Sequence, residues 1–247
     1  MNEFKVVIPA RFASERLPGK PLCKIAGKPM IEHVYERAVD SHAQEVIIAT
    51  DDERIAEVVR AFGGKACMTR ADHHSGTDRL AEVCDQEGWQ GDVRVVNLQG
   101  DEPLMPAELI DQCAALLEDP GVHLSTLASP LSSAEDFRSP HVVKVVRSAN
   151  GNALYFSRAP IPFARSVKDS HLAQRSALHH HGIYGYRVAT LKQLVATPPS
   201  DLETCERLEQ LRALSLGLTI RVGVPSKKPG PGVDTEDDLL AISALLA

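Results

Sequence analysis

The sequence lacks features that would place it in a membrane or in an oxidising compartment. No run of about 18 apolar residues could cross a bilayer as a helix, and no long apolar leader precedes the first strand-like segment. The five cysteines form no Cys-x-x-Cys pair, and their wide spacing is typical of free thiols in a reducing compartment. We therefore expect a cytoplasmic protein without membrane insertion.

The sequence also lacks an excess of positive charge. Lysine and arginine together number 27 against 33 acidic residues, for a formal net charge of −6, and the cations are spread along the chain. This balance argues against nucleic acid as a partner, so any anionic ligand must be held by a local cluster of cations. The 247 residues are 43% hydrophobic, which is enough for a core without disulfide or metal support.

Two common phosphate-binding motifs are missing as well. The nearest approach to a Walker A loop is Gly19-Lys20-Pro21, but Ser14 replaces its first glycine and Pro21 replaces its final Ser or Thr. The dinucleotide fingerprint G-x-G-x-x-G does not follow the first predicted strand, so neither NAD nor FAD is indicated. Any phosphate site must rely on side chains.

Such side chains occur in the loop after the first predicted strand, residues 4–8. This loop carries Arg11, Arg16 and Lys20, while Gly19 and its flanking prolines keep it out of a helix. Charge-assisted contacts from arginine to phosphate are strong, so the pattern predicts a polyphosphate-binding loop. A solvated surface loop is the alternative, but ligands of open α/β sheets collect beyond the carboxyl ends of the strands.

Runs rich in Val and Ile alternate with helical patterns, which is typical of a parallel sheet covered by helices on both faces. The predicted strands are 4–8, 45–49, 65–68, 93–98, 123–128 and 219–224. The predicted helices are 29–40, 52–62, 77–87, 106–118, 188–196, 203–216 and one that begins at 235. From 142 to 186 we expect a β-rich stretch with a polar loop up to about 177. The whole chain, 1–247, is predicted to be a single three-layer α/β domain.

Two aspartates are candidates for a metal site. Asp101 follows the predicted strand 93–98 beside a glycine, and Mg²⁺ is usually bound by one or two carboxylates together with phosphate oxygens and water. The best second carboxylate is Asp234. It could instead add negative charge to the start of a helix, because Thr235 and Asp238 resemble a capping box. Spacing alone leaves both interpretations of Asp234 open.

Seven segments, in this order, match the pattern of one family. They are residues 9–22, 68–80, 97–103, 153–158, 182–187, 208–212 and 232–235. Together they resemble the 3-deoxy-manno-octulosonate (Kdo) cytidylyltransferases, and the match runs collinearly from about residue 4 to 240. The resemblance implies a nucleotide-diphospho-sugar transferase-like (Rossmann-like) α/β/α fold with a mostly parallel sheet. A small β-rich insertion, at about 140–186, would form part of the sugar pocket and the interface of a homodimer.

The resemblance also implies an activity and its residues. The enzyme would join CTP to Kdo, release pyrophosphate and form CMP-Kdo for lipopolysaccharide assembly, with Mg²⁺ as cofactor. The residues implied in catalysis are Arg16, Lys20, Asp101 and Asp234, the last two as metal ligands. Those implied in nucleotide binding are Arg11, Arg16, Lys20, Arg70, Ser75, Gly76, Thr77 and Gln99. Those implied in sugar binding are Gln99, Arg158, His180, Tyr184, Glu209 and Gln210.

Three positions depart from the family pattern. Glu15 stands where a small hydroxyl residue is common, Phe163 where tryptophan is common, and His179 where arginine is common. The acceptor could therefore also be an 8-amino-Kdo analogue or a sialic acid, although Lys20-Pro21 favours Kdo. A nucleotide-binding regulator without turnover is a further alternative. The run His179-His180-His181 does not predict a zinc site, because successive side chains of a strand alternate between its faces.

Overall fold

The computed structural model describes residues 3–13, 17–73 and 75–246. The strands are β1 (Phe4–Ala10), β2 (Lys24–Ile25), β3 (Lys28–Pro29), β4 (Glu45–Thr50), β5 (Lys65–Met68), β6 (Arg94–Asn97), β7 (Leu124–Pro130), β8 (Lys144–Arg147), β9 (Ala153–Ser157), β10 (Leu178–Arg187) and β11 (Ile220–Gly223). The α-helices are α1 (Met30–Val39), α2 (Glu53–Ala61), α3 (Gly76–Gln86), α4 (Ala107–Ala115), α5 (Ala134–Arg138), α6 (Ser170–Ser176), α7 (Val188–Val195), α8 (Asp201–Glu206), α9 (Gln210–Ser215) and α10 (Glu236–Leu246). Short 3-10 turns cover Lys20–Leu22, Leu116–Glu118 and Val167–Asp169.

One large mixed sheet organises the molecule, with the strand order β11-β7-β10-β6-β1-β4-β5. Strands β6, β1, β4 and β5 are parallel neighbours, and β11 runs parallel to β7. Strand β10 lies antiparallel between β6 and β7, and it also pairs with β8, which pairs with β9. The predicted α/β fold with a mostly parallel sheet is confirmed.

Alternate side chains of the central strands enter two different cores. On one face, Val7 and Val95 pack with residues of α3, α7 and α9. On the other face, Val6, Ile8 and Val96 pack with residues of α1, α2 and α4. Burial on both faces explains why these strands are apolar runs rather than alternating patterns. The sheet is therefore the middle layer of three.

The structure differs from the predicted elements in four places. One is the hairpin of β2 and β3, which was not predicted. The single helix predicted at 203–216 is two helices, α8 and α9, because Arg207 ends α8 with φ 54° and ψ 48° in the left-handed region. The polar stretch before residue 177 contains α6, and α5 was not predicted. None of the helices in the described ranges is long and apolar enough to cross a membrane.

The parallel strands bring the predicted site segments to one edge of the sheet. Strands β1 and β6 are paired, and both end at this edge, where Arg11 follows β1 and the segment 99–102 follows β6. Their backbones approach closely at Gly100, where a Cβ atom would lie 2.7 Å from the carbonyl oxygen of Pro9. Only glycine fits here, since the obstacle is backbone.

Candidate active site

Phe12 and Gly19, in the described parts of the chain between β1 and Lys20, belong to a stack of side chains. Gly19 has φ +66°, and its N–H donates to the carbonyl of Phe12 at 3.0 Å. A Cβ atom on Gly19 would lie 3.2 Å from the Phe12 ring, and the guanidinium of Arg54 covers that ring at 3.4 Å. Asp52 holds Arg54 through bonds of 2.9 and 2.6 Å. This stack fixes the approach of the chain to Lys20.

Lys20 joins the two candidate metal ligands. Its Nζ donates to Asp101 at 2.7 Å and to Asp234 at 3.2 Å. A main-chain bond of 2.9 Å from Val233 to the carbonyl of Asp101 holds the two loops together. Asp101 and Asp234 are 133 positions apart in the sequence, yet their carboxylates converge on one cation.

The capping box predicted at the start of α10 is present, and Asp234 lies beside it. Thr235 and Asp238 form the box: Thr235 Oγ1 accepts from the N–H of Asp238 at 3.2 Å. Asp238 Oδ2 accepts from the N–H groups of Thr235 and Asp234 at 2.9 and 3.0 Å. The carboxylate of Asp234 contacts Lys20, so its position is compatible both with a metal ligand and with a charge at the start of α10.

The pair Asp101 and Asp234 suits a divalent cation that also takes oxygen ligands from phosphate. Within the described ranges, no group of three or more His, Cys, Asp or Glu side chains could hold a metal ion. Two carboxylates with room for further oxygen ligands match the usual binding of Mg²⁺ beside nucleotides. Glu102 adjoins the pair, and burial, with the charges of Asp101 and Asp234, raises its pKa to about 8. The sequence analysis missed Glu102.

The start of α3 forms one wall of a cavity of about 360 Å³. Ser75 and Asp78 make a complete capping box there, and a Cβ atom on Gly76 would lie 3.3 Å from Pro9 Cγ. Thr77 Oγ1 donates to Glu209 Oε2 at 2.6 Å. Of the residues predicted to bind nucleotide, five line this cavity: Arg11, Ser75, Gly76, Thr77 and Gln99. The positive end of a helix and an arginine make this wall suitable for an anion.

The same cavity is also lined by most of the residues predicted to bind sugar. They are Gln99, His180, Tyr184, Glu209 and Gln210. His180 Nε2 lies 3.1 Å from Thr126 Oγ1, and its ring meets Phe156 edge-on at 5.2 Å. Burial, with the neighbouring His181 and His179, lowers the pKa of His180 to about 3, so its ring is neutral at pH 7.

Lys20 belongs to an adjoining cavity of about 300 Å³, which it shares with Arg11, Gly76, Gln99 and Asp101. Arg11, Gly76 and Gln99 border both cavities. The cavity that contains Lys20 is therefore continuous with the larger cavity. This arrangement allows one ligand to contact Lys20 at one end and the wall of α3 at the other.

Two predicted cations lie elsewhere. Arg70 pairs with Asp72 at 3.2 Å and borders a separate cavity behind α3. Arg158 donates from Nε to the carbonyl of Glu206 at 2.8 Å and from Nη1 to that of Pro140 at 3.1 Å. The structure does not bring Arg158 to the larger cavity, because main-chain carbonyls hold its guanidinium.

Arg16 and Glu15 lie outside the described residues, so the prediction for Arg16 has no structural counterpart here. The sequence analysis assigned no role to several polar residues that line the larger cavity, namely Asp78, Asn97, Tyr186, Arg207 and Arg212. Asn97 ends an apolar strand, which is the same signal that identified Asp101. Arg207 gave no signal, because its left-handed backbone follows from the break between α8 and α9.

The side chains of the histidine run lie in two different environments. His181 Nε2 lies 2.7 Å from Ser129 Oγ, and the pairing of β10 with β7 is irregular between His180 and Tyr184. The rings of His179 and His181 neighbour each other at 5.0 Å, while His180 packs against Phe156 and Tyr184. The alternation expected for a strand thus separates His180 from its two neighbours.

Comparisons with known proteins identify the family. The family model described as cytidylyltransferase matches residues 5–220. A solved structure of a CMP:2-keto-3-deoxy-manno-octonic acid synthetase complexed with CTP is 45% identical, covers 100% of this chain and 98% of its own, and superposes with a TM-score of 0.90. A cytidylyltransferase from Leptospira borgpetersenii serovar Hardjo-bovis is 15% identical, covers 99% of this chain and 86% of its own, and has a TM-score of 0.63, which shows a shared fold. The resemblance found in the sequence is confirmed, and this chain belongs to the cytidylyltransferase family.

Proposed function

We propose that this enzyme transfers the cytidylyl group of CTP to Kdo, giving CMP-Kdo and pyrophosphate. The observation that carries the proposal is the continuity of two half-sites: Lys20 with Asp101 and Asp234, and the cavity between α3 and the start of α9. The synthetase complexed with CTP shares 45% of its residues with this chain along the full length. That likeness supports the same pair of substrates.

The reaction joins two anions, so charge must be neutralised before they meet. The anomeric hydroxyl oxygen of Kdo forms a bond to the α-phosphorus of CTP. The bond from that phosphorus to the bridging oxygen breaks, pyrophosphate leaves with the electron pair, and the hydroxyl proton is released. Catalysis of this kind needs positioning and positive charge rather than a covalent nucleophile.

The residues divide this work between them. Lys20 and Arg11 supply positive charge to the triphosphate, and the start of α3 at Gly76 and Thr77 receives the nucleotide. Asp101 and Asp234 hold Mg²⁺, which supplies positive charge to the phosphate oxygens when it is bound. Neutral His180, with Tyr184, Glu209 and Gln210, orients the acceptor. Arg16, Arg70 and Arg158 keep the roles implied by the family resemblance only as predictions.

We also propose a homodimer in the cytoplasm that serves lipopolysaccharide assembly. The segment after β9 exposes two large apolar side chains, Phe163 at 89% and Val167 at 91%. Large exposed apolar residues close together in sequence support an interface in this segment. Sedimentation equilibrium would test it, since a Phe163→Ser, Val167→Ser double variant should lower the mass toward that of a monomer.

The activity is tested by pyrophosphate release from CTP and Mg²⁺ with Kdo, 8-amino-Kdo or a sialic acid as acceptor. We expect release with Kdo, and not with CTP alone. Release only with another acid would change the acceptor but keep the reaction. A purified, folded enzyme that binds CTP but releases pyrophosphate with none of the acceptors would support a nucleotide-binding regulator instead.

A further inference from the structure

The larger cavity has an unusual polar group in its floor. Asn97, the last residue of β6, is only 2% exposed, yet it borders the cavity. Within the described residues, its Oδ1 has no hydrogen-bond partner. Its Nδ2 faces the start of α3, 3.9 Å from where a Cβ atom on Gly76 would lie. A buried amide without a partner is uncommon, because each unmade hydrogen bond costs about 1–3 kcal/mol.

Two further side chains of the same cavity each have a buried polar atom without a hydrogen-bond partner among the described residues. Tyr184 faces Asn97 across the pairing of β10 with β6, and its hydroxyl is buried without a partner among the described residues. Gln210, at the start of α9, buries its Nε2 in the same way. Three side chains that line one cavity, from three elements, thus each carry a buried polar atom without a hydrogen-bond partner among the described residues.

The chemistry of these atoms selects the kind of ligand. Asn97 offers a carbonyl oxygen that only accepts, Gln210 offers a nitrogen that only donates, and the phenol of Tyr184 does both. A phosphate or carboxylate oxygen cannot donate to Asn97 Oδ1, so an anionic group does not satisfy it. A hydroxyl group donates and accepts at once. A polyhydroxylated ligand therefore fits the set.

We propose that Asn97 is a specificity-determining residue that hydrogen-bonds a hydroxyl group of the acceptor sugar acid. The inference rests on the proposed function and adds a residue to it. The ribose of CTP also carries hydroxyl groups, but Tyr184 and Gln210, the two neighbours whose polar atoms also lack partners among the described residues, come from β10 and α9 rather than from α3. A site built to pair with a hydroxyl group discriminates strongly against ligands that lack it, because its own polar atoms stay buried and unpaired.

The test replaces the amide with a side chain that makes no hydrogen bonds. Asn97→Leu should raise the KM for Kdo about 5- to 150-fold, since one lost pairing is worth about 1–3 kcal/mol. The Kd for CTP, measured by calorimetry without acceptor, should change less than about twofold. Asn150→Leu is the matched control, because it makes the same substitution in an exposed turn away from the cavity.

Each outcome bears on the inference. A KM for Kdo within twofold of the wild type would overturn it, and so would a raised Kd for CTP with an unchanged KM for Kdo, which would assign the amide to the ribose. If Asn97→Leu fails to bind CTP and melts early, Asn97→Ser decides by the same two constants, because its smaller side chain causes no overlap. If the wild-type enzyme is inactive with Kdo, the proposed function itself is overturned. If the wild type is active and the Asn97 variant has an unchanged KM for Kdo, only this inference is overturned.

Discussion

Asp234 offers a decisive test, because its two interpretations predict opposite results. Its side chain is 53% exposed, and its bond to Lys20 is 3.2 Å long. An ion pair that exposed contributes only about 0–1 kcal/mol to stability. The cap of α10 is made by Thr235 and Asp238 instead. We therefore expect Asp234→Ala to leave the free energy of unfolding within about 1 kcal/mol of the wild type.

Turnover should respond in the opposite way. A ligand of the metal that supplies several kcal/mol to the transition state should cost on the order of 10³-fold in kcat when removed. Thr235→Ala is the matched control one residue away. It removes the capping oxygen, so it should lose about 1 kcal/mol of stability and keep most of its turnover.

The assays are pyrophosphate release at saturating CTP, Kdo and Mg²⁺, and urea denaturation without the metal. The reasoning would be refuted if Asp234→Ala turned over at nearly the normal rate while unfolding at lower urea. That result would support the interpretation in which Asp234 adds negative charge to the start of α10. Lys20 would then have one functional carboxylate partner, Asp101, rather than two.

Three other predictions follow from the site and its frame. Burial lowers the pKa of His180 to about 3, while an unfolded histidine titrates near 6.5, so the free energy of unfolding should fall as the pH drops below 6.5, by up to about 2 kcal/mol at pH 5. Urea titrations at pH 7.5 and 5 should show a smaller fall for His180→Gln than for the wild type. An equal fall in the two proteins would contradict a buried neutral ring. Gly100→Ala should lower the free energy of unfolding by about 1–3 kcal/mol and remove most activity, because its Cβ atom would lie 2.7 Å from the Pro9 carbonyl oxygen. Gly121→Ala, in an exposed turn, should change neither stability nor activity. Removal of divalent metal with EDTA should abolish pyrophosphate release and added Mg²⁺ should restore it, while activity in excess chelator would exclude the metal site at Asp101 and Asp234.

Much of the fold was predictable because its signals are local. The strands around Val7, Ile47 and Val95 are apolar runs, and burial on both faces of a parallel sheet requires such runs. The break between α8 and α9 was not predictable, since Arg207 is not a residue type that marks a left-handed turn. The antiparallel placement of β10 depends on contacts with β6 and β7 that no local pattern encodes.

The positions of the site residues were predictable where motifs supplied the contacts, and not where the surrounding fold decides which partners a side chain meets. The meeting of Lys20, Asp101 and Asp234 follows from segments that the family resemblance brings together. Arg158 stays a predicted substrate-binding cation, and its guanidinium lies against main-chain carbonyls in a way that the sequence did not indicate. The bonds made by a long cationic side chain depend on the surrounding fold. Asn97 was overlooked for the converse reason, because a sequence does not show that a polar group lacks a partner.

The position of β10 has a consequence for how the chain can be divided. Strand β10 begins at Leu178, after β6 and β7 in the sequence, yet it lies between these two strands in the middle of the sheet and pairs with both. A fragment that ended earlier would leave two central strands with open edges, which invite pairing with other chains. The protein should therefore be produced, split or permuted only at points that keep residues 94–187 together, and a nascent chain should remain prone to aggregation until β10 has emerged.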